Sequence, residues 1–550
     1  MRYPASTETG GPARHEGRIS GLLPDGPRRR LVFVLAAALV VVVAFVALRS
    51  GGGNRPPPAG AAGLVPSDAL AYLHVSTDAN RDAVQRTLEL ARRFRSYPAL
   101  RDGLLARLPS GGRPLNYQRD LAPWIGREVG VAVLKASART TLSLVVVAVA
   151  DRDRAERFLR QARTGTPTSY RGTSVTGYAG GASAFIGRYL VLGQQAAVRA
   201  AIDRSAGRAP GLTANPAFRQ GRRGMPATRV ADVYVSAAGV RQVLASRGGV
   251  LGIAGALLDQ PALAGASIAI SPAEGGARVR VTAVRDPARE KGLPPVFAAF
   301  SPRLTDSVPR TAMAYLGVTG LDRAAGRLLG LTAILPTGAQ IRSLLLSRGP
   351  QVLRKGGVNL ERDVLPLFRN EVALWLAPSL PSPYLTVIAR TDDEEATRVA
   401  LARLQAPLTQ LFTAPEAGPG QAPTFEERQV AGTKAFSLVL SPGVEIDYAV
   451  FDGKLVVSTN LEGIRRVKEG KGPLTDTDPY RTTLGGRPSK VTSLLFLDFT
   501  QLLGLGERTG LNASRGYLAV RDDLKRVRAL GAVTSGEGNQ STTELFLDIP

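Results

Sequence analysis

An α+β fold, with antiparallel sheets and packed helices built twice in tandem and preceded by one transmembrane helix, is what the 550-residue sequence predicts. Three observations carry that reading. β-rich runs joined by Gly-containing turns alternate with stretches of helical spacing. The segment VPSDALAYLHVS at 65–76 returns as VPRTAMAYLGVT at 308–319. An uncharged apolar run fills residues 31–48.

Residues 1–30 are rich in Gly, Pro, Ser and Thr and show no apolar period, so a disordered cytoplasmic tail is expected. The run LVFVLAAALVVVVAFVAL at 31–48 would rise roughly 27 Å as a helix, close to the hydrocarbon thickness of a bilayer. Arg28, Arg29 and Arg30 precede it, and the positive-inside rule puts such a cluster in the cytoplasm. The expectation is an uncleaved single-pass anchor in the cell membrane, with the bulk of the chain extracytoplasmic. Residues 49–63 mix flexible Gly with stiff Pro and read as a spacer.

The duplication extends well past the dodecamer. An offset of 243 takes Pro66 onto Pro309, and the same offset takes Asp120, Pro123 and Glu128 onto Asp363, Pro366 and Glu371 without a gap. SLVVVAVADRDRAERFL at 143–159 matches PYLTVIARTDDEEATRVAL at 383–401, and AFIGRYLVLG at 184–193 echoes AVFDGKLVVST at 449–459. NPAFR at 215–219 answers DPYRT at 478–482, and the 265–283 segment answers 531–549. The order is conserved between the halves, which marks a pair of homologous domains, expected at 64–287 and 304–550 around the linker DPAREKGLPP. Within the first, AYLHV, LSLVVVAVA, AFIGRYLVL, VADVYVS, ASIAI and ARVRVTA are the expected strands. Helical spacing covers 79–108, 152–162 and 196–205.

VPSDALAYLHV after an N-terminal span, DLAPWIGREVGVAVL, the strand-to-helix step VAVADRDRAERFL, and FIGRYLVLG followed by AVRAAID together resemble bacterial single-pass surface proteins catalogued as domain of unknown function thirty-three fifty-two. The resemblance implies location and fold. It implies no activity and supplies no catalytic residue.

Composition narrows the chemistry. With no Cys and only His15 and His74, disulfides, thiol nucleophiles and thiolate metal sites are excluded, and zinc would lack its usual ligands. The formal charge of +25 is spread along the chain, with no basic patch interleaved with aromatics, so no nucleic acid is expected. His74 is the first residue to test as a general base, yet its repeat partner is Gly317, which favours a satisfied strand histidine. Ser267 in GASIA lacks the GxSxG elbow, and no Ser stands three before a Lys. The Gly-rich pieces at 51–53 and 180–181 lack a nucleotide-binding context.

The acids Asp151 and Asp153, Asp392 to Glu395, Asp476 and Asp478, and Asp522 and Asp523 could hold calcium or run glycoside hydrolysis. Because Asp151 and Asp392 fall where a strand yields to a helix in both halves, helix capping is the expectation. Glu128 and Glu371 precede equivalent strands and are expected at solvent-facing strand starts, and Trp124, replaced by Leu367, is expected to pack. No catalytic, cofactor or metal residue is therefore assigned, and no cofactor is expected. The leading expectation is a non-enzymatic, membrane-anchored envelope protein whose duplicated ectodomain binds anionic envelope polymers, lipids or envelope proteins. A lipid-binding or lipid-transfer ectodomain and a carboxylate-dependent envelope glycan hydrolase stand as alternatives.

Overall fold

The computed structural model describes residues 55–105, 115–137, 140–160, 166–178, 181–245, 262–290, 298–322, 354–379, 383–412, 423–441 and 444–550. The first half contributes β1 (Ala71–Ser76), β2 (Ile125–Ala136), β3 (Thr141–Val149), β4 (Thr168–Tyr170), β5 (Thr173–Tyr178), β6 (Gly181–Ile186), β7 (Tyr189–Gly193), β8 (Ala231–Ser236), β9 (Leu263–Ala273) and β10 (Gly276–Arg285). The second contributes β11 (Ala314–Thr319), β12 (Glu371–Ala377), β13 (Tyr384–Arg390), β14 (Phe425–Val430), β15 (Thr433–Ser441), β16 (Val444–Phe451), β17 (Lys454–Ser458), β18 (Ser493–Asp498), β19 (Ala529–Glu537) and β20 (Gln540–Asp548). The helices used below are α1 (Asp82–Arg92), α2 (Tyr97–Leu105), α3 (Arg152–Arg160), α4 (Gln195–Ser205), α5 (Pro216–Arg222), α6 (Glu394–Phe412), α7 (Leu461–Glu469), α8 (Asp478–Leu484), α9 (Phe499–Arg508) and α10 (Arg515–Leu524).

Every pairing is antiparallel, and the registers place the strands in the order β4-β5-β6-β7-β3-β2-β1-β8-β9-β10 in the first half. The second half repeats it strand for strand, β14-β15-β16-β17-β13-β12-β11-β18-β19-β20. Short turns make this possible. Ala431-Gly432 and Asp452-Gly453 have positive φ at both residues, the geometry of a two-residue hairpin, and glycine takes the second place without a Cβ penalty.

The central strands bury both faces, which explains why β1 reads as a near-continuous apolar run instead of alternating. Leu73 and Val75 pack with Val84 and Leu88 of α1 on one face. Tyr72 packs with Phe218 of α5 and with Ala197, Val198 and Ala201 of α4 on the other. The second half builds the matching core from Tyr315, Trp375 and Phe496 under Ile464 of α7 and Tyr480 of α8.

The expected fold class, tandem homologous domains with antiparallel sheets after one transmembrane helix, is corrected: the repeated halves share one sheet, and no spanning helix occurs among the described residues. β10 pairs β20 over nine residue pairs, so all twenty strands belong to one sheet. Among the described residues no helix is long and apolar enough to cross a membrane. α6, at 19 residues, carries Glu394, Glu395, Arg398 and Arg403. The run 31–48 that suggested an anchor lies outside the described residues, as do the tail at 1–30 and residues 49–54 of the spacer, so the single-pass membrane location receives no support from the fold.

The β10–β20 seam has a pseudo-two-fold register. Gly276 and Gln540 each follow a hairpin turn, and Gly276 lies opposite Asp548 while Val284 lies opposite Gln540. At the centre Arg280 faces Glu544, its own positional equivalent, with Nε donating to Oε1 at 2.9 Å. A residue on such an axis meets its counterpart, and identical charges there would repel. Around the seam, Asn539 Nδ2 donates to the Arg285 carbonyl at 3.0 Å, and Arg93 reaches the Ile549 carbonyl at 3.0 Å.

With Arg280 and Glu544 about a third exposed, a double-mutant cycle on Arg280→Ala and Glu544→Ala in urea unfolding should return a coupling of about 0.5–1 kcal/mol. Exchanging the two charges should leave stability near wild type, whereas Arg280→Glu alone should cost more than Arg280→Ala. Equal losses for those two single variants would remove the axis pair from the account of the seam.

Candidate functional site

The ordered histidine does find carboxylates. On β1, Tyr72, His74 and Ser76 point to one face, where β8 brings Asp232 opposite His74 and β2 brings Glu128 opposite Ser76. His74 is 0% exposed; Nδ1 lies 3.1 Å from Asp232 Oδ1 and Nε2 lies 3.5 Å from Glu128 Oε2. Asp232 also takes Arg222 from α5 and Arg229 Nε, the latter at 2.9 Å. Glu128 accepts from the Tyr189 hydroxyl at 2.7 Å and from the backbone N–H groups of Gly60 and Ala61.

The protonation states follow from the packing. Burial opposes charge on His74, but the hydrogen bond it makes to Asp232 and the adjacent Glu128 carboxylate outweigh burial and hold the imidazole above its ordinary value. Burial pushes Asp232 up, while His74, Arg222 and Arg229 hold it well below the usual carboxylate range. Glu128 is likewise lowered, by His74 and Tyr189 against its burial. The result is a closed ion network without access for a substrate, and a general base needs a reachable proton. His74 is thus a buried strand histidine, hydrogen-bonded at Nδ1 and held at Nε2 by the 3.5 Å ion pair with Glu128.

Glu128 and Glu371 correct the expectation of solvent-facing strand starts. They are 1% and 5% exposed. Each binds the backbone leading into its half: Glu371 accepts from the N–H groups of Arg303 and Leu304 at 2.7 and 2.8 Å, at the same sequence separations as Glu128 from Gly60 and Ala61. Their titration differs because their neighbours do. Glu371 has no histidine, so burial prevails over the two N–H bonds and its carboxyl is raised.

The remaining sequence candidates are structural. Ser267 is buried, and a Cβ on Gly221 of α5 would sit 2.3 Å from its hydroxyl, so the helix seals it. Asp151 accepts from Arg154 N–H at 3.0 Å at the start of α3. In the second half the cap is Asp393, which accepts from Ala396 N–H at 2.9 Å, while Asp392 takes Asn370 Nδ2 at 3.0 Å. Asp478 pairs with Arg481 at 2.6 Å. Asp523 accepts from the N–H groups of Arg95 and Ser96 and, with Asp522 on Arg95, clasps α10 to the start of α2. Trp124 packs against Phe158 with ring centroids 5.5 Å apart and donates to the Asp120 carbonyl.

Sequence reasoning missed an open cleft of about 520 Å³ in the second half, where the start of α6 meets the ends of β12 and β13. Arg362, Arg369, Arg390 and Arg403 line it, with Asn370 and Thr397. Arg362 is held by Asp363 and Arg369 by Asp392, at 3.1 and 3.5 Å. The guanidinium groups of Arg390 and Arg403 make no hydrogen bond or ion pair among the described residues. They lie thirteen residues apart on β13 and α6, so no local cluster announces them.

The family described as Protein of unknown function (DUF3352) matches residues 31–548, and the chain belongs to that family. Among solved structures it is similar to crystal form I of TP0453 at 11% identity, with a TM-score of 0.26, covering 42% of this chain and 79% of that one. Crystal form III gives 11% identity and a TM-score of 0.25, over 42% of this chain and 81% of that one. Likeness at that level carries no argument here. No curated protein matches the sequence.

Two expected outcomes test the buried network. A raised histidine stabilises the fold fully below its unfolded value of about 6.5, and that contribution is lost as pH rises through the higher folded value. His74→Ala should cost about 3 kcal/mol at pH 6 and less at pH 8, read by urea unfolding at both. Glu128→Gln should cost about 2 kcal/mol at neutral pH because it strips the charge facing His74, whereas Glu371→Gln, which keeps an acceptor for both N–H groups, should cost under about 1 kcal/mol. Equal losses would mean that the two glutamates do the same job.

Proposed function

We propose that this member of the family is a non-enzymatic binding protein that takes an anionic group into the arginine-lined cleft of its second half. The observation that carries the reading is the pair Arg390 and Arg403, two guanidinium groups that make no hydrogen bond or ion pair among the described residues, on the wall of one cleft. Planar guanidinium groups offer forked donors that match carboxylate and phosphate oxygens. Asn370 and Thr397 add neutral hydrogen-bonding groups. Asp393 faces the N-terminus of α6, whose positive end offsets its charge.

The non-enzymatic part rests on the fate of the chemistry-bearing side chains. His74 and Ser267 are sealed, and the surface acids Asp151, Asp392, Asp393, Asp478, Asp522 and Asp523 each serve a cap or an ion pair. An anionic polymer is the class of partner that fits a chain of formal charge +25.

Fluorescence anisotropy with fluorescein-labelled inorganic polyphosphate provides the test. Binding should weaken steeply as salt shortens the screening length from about 30 to 8 Å. Arg390→Ala with Arg403→Ala should weaken it about tenfold, a loss of about 1.4 kcal/mol. Binding that the double variant leaves unchanged, or no binding by the wild type at low salt, would overturn the proposal.

A further inference from the structure

Asp447 on β16 is 0% exposed, and neither carboxyl oxygen has a hydrogen-bond partner among the described residues. Ser437 of β15 and Ser458 of β17 lie directly opposite it on either side, and Thr386 of β13 lies beyond Ser458. Directly opposed residues of antiparallel strands share a face. Glu445, two residues earlier on the same strand, shares that face as well. Ser437, Ser458 and Thr386 are all buried, and Thr386 Oγ1 and Ser458 Oγ lie 2.9 Å apart.

The first half has none of this. The same row there reads Gly177, Ala182, Gly193 and Leu144. In the second half α7 packs down so closely that a Cβ on Gly463 would stand 2.2 Å from Ser458 Oγ and 2.3 Å from Thr386 Oγ1. The lid over the hydroxyls is therefore backbone, and only glycine fits.

A buried carboxylate held by no close hydrogen bond is costly, and the first half fills the same position with alanine. We infer that Asp447, with Glu445 and the hydroxyls of Ser437 and Ser458, forms a binding site for a hard divalent cation of the calcium type. The donor set is all oxygen, which suits calcium or magnesium and offers nothing to a metal that wants nitrogen or sulfur. Two carboxylates match a double positive charge. A mixed set of carboxylate and hydroxyl oxygens suits calcium, which accepts flexible ligand geometry, better than magnesium, which keeps its waters in a strict octahedron. Glu445 spends one oxygen on the Leu461 N–H at 3.4 Å, where it answers the positive end of α7, and keeps the other.

Burial, reinforced by Glu445 and opposed by Ser437 and the more distant Arg428, pushes the Asp447 carboxyl up to about 7.

Thermal unfolding of the full chain at pH 8 should show a rise of about 3 °C on adding about 1 mM calcium chloride. Asp447→Asn should abolish the rise, and Asp151→Asn, an exposed cap, should keep it. A second readout needs no variant: calorimetric titration of wild type with calcium chloride at pH 8 should show binding of about one cation per chain. Wild type that shows neither a thermal shift nor calorimetric binding, or an Asp447→Asn protein that keeps the shift, would overturn the site and leave Asp447 as a buried acid without a cation.

Discussion

The β10–β20 ladder is the interaction on which the rest of the architecture depends. Each half, taken alone, would end in a long, regular edge strand with a row of open N–H and C=O groups, a template for unwanted pairing. Pairing these edges with each other satisfies both at once and converts two ten-stranded sheets into one. The edges that remain are blunted. β4 has only three residues, and β14 displays exposed Glu426, Glu427 and Arg428. The pairing also brings α10 against α2, where Asp523 and Asp522 receive Arg95 and Ser96. An acidic pair that invites a metal or a reaction when read in sequence is a clasp across the seam.

The duplicated frame makes each half a control for the other. In the first, His74 stands beside Gly130, and Tyr72 lies across that glycine, where a Cβ would meet its ring at 3.0 Å. In the second, Gly317 stands beside Ala373, and Tyr315 lies across Gly317 instead, its hydroxyl 2.4 Å from where a Cβ would be. The small residue has moved from one strand to its neighbour and the tyrosine has followed. A histidine at 317 would collide with Tyr315, and Leu494 replaces the carboxylate that would have paired with it. The Tyr315 hydroxyl is satisfied locally by Thr305 at 3.0 Å.

Much of the secondary structure was legible because it depends on local signals. Period-two runs, glycine turns and the 243-residue offset identify the strands around β1, β3, β8, β9 and β10 and relate them to the second half. AFIGRYLVL reads as one run, yet Gly187, with φ of 55°, folds it into the β6–β7 hairpin. The helical stretch at 79–108 is two helices, α1 and α2. The seam was not legible, because pairing between strands more than two hundred residues apart leaves no periodicity. Charged residues misled for the same reason. Glu128 stands at the start of a strand among polar neighbours, and only the returning backbone at Gly60 and Ala61 buries it. The cleft arginines and the Asp447 row likewise come from different elements, so their chemistry exists only after folding.

A residue present in one half and absent from the other is a weak pointer to function until its compensation is known. His74 is such a residue, and the exchange of Gly130 for Ala373 with the swing of the tyrosine accounts for it as alternative packing of one core. Asp447 is a different case. Its counterpart Ala182 needs no partner, and the accompanying change, Ala197 of α4 to Gly463 of α7, makes room for Ser458 and Thr386 while both Asp447 oxygens stay without a close hydrogen bond. Packing explains the hydroxyls and leaves the acid unexplained. Desolvation makes an unpaired buried charge one of the most expensive groups a core can hold. The uncompensated difference at Asp447, rather than the histidine of β1, is therefore the one that alternative packing does not account for.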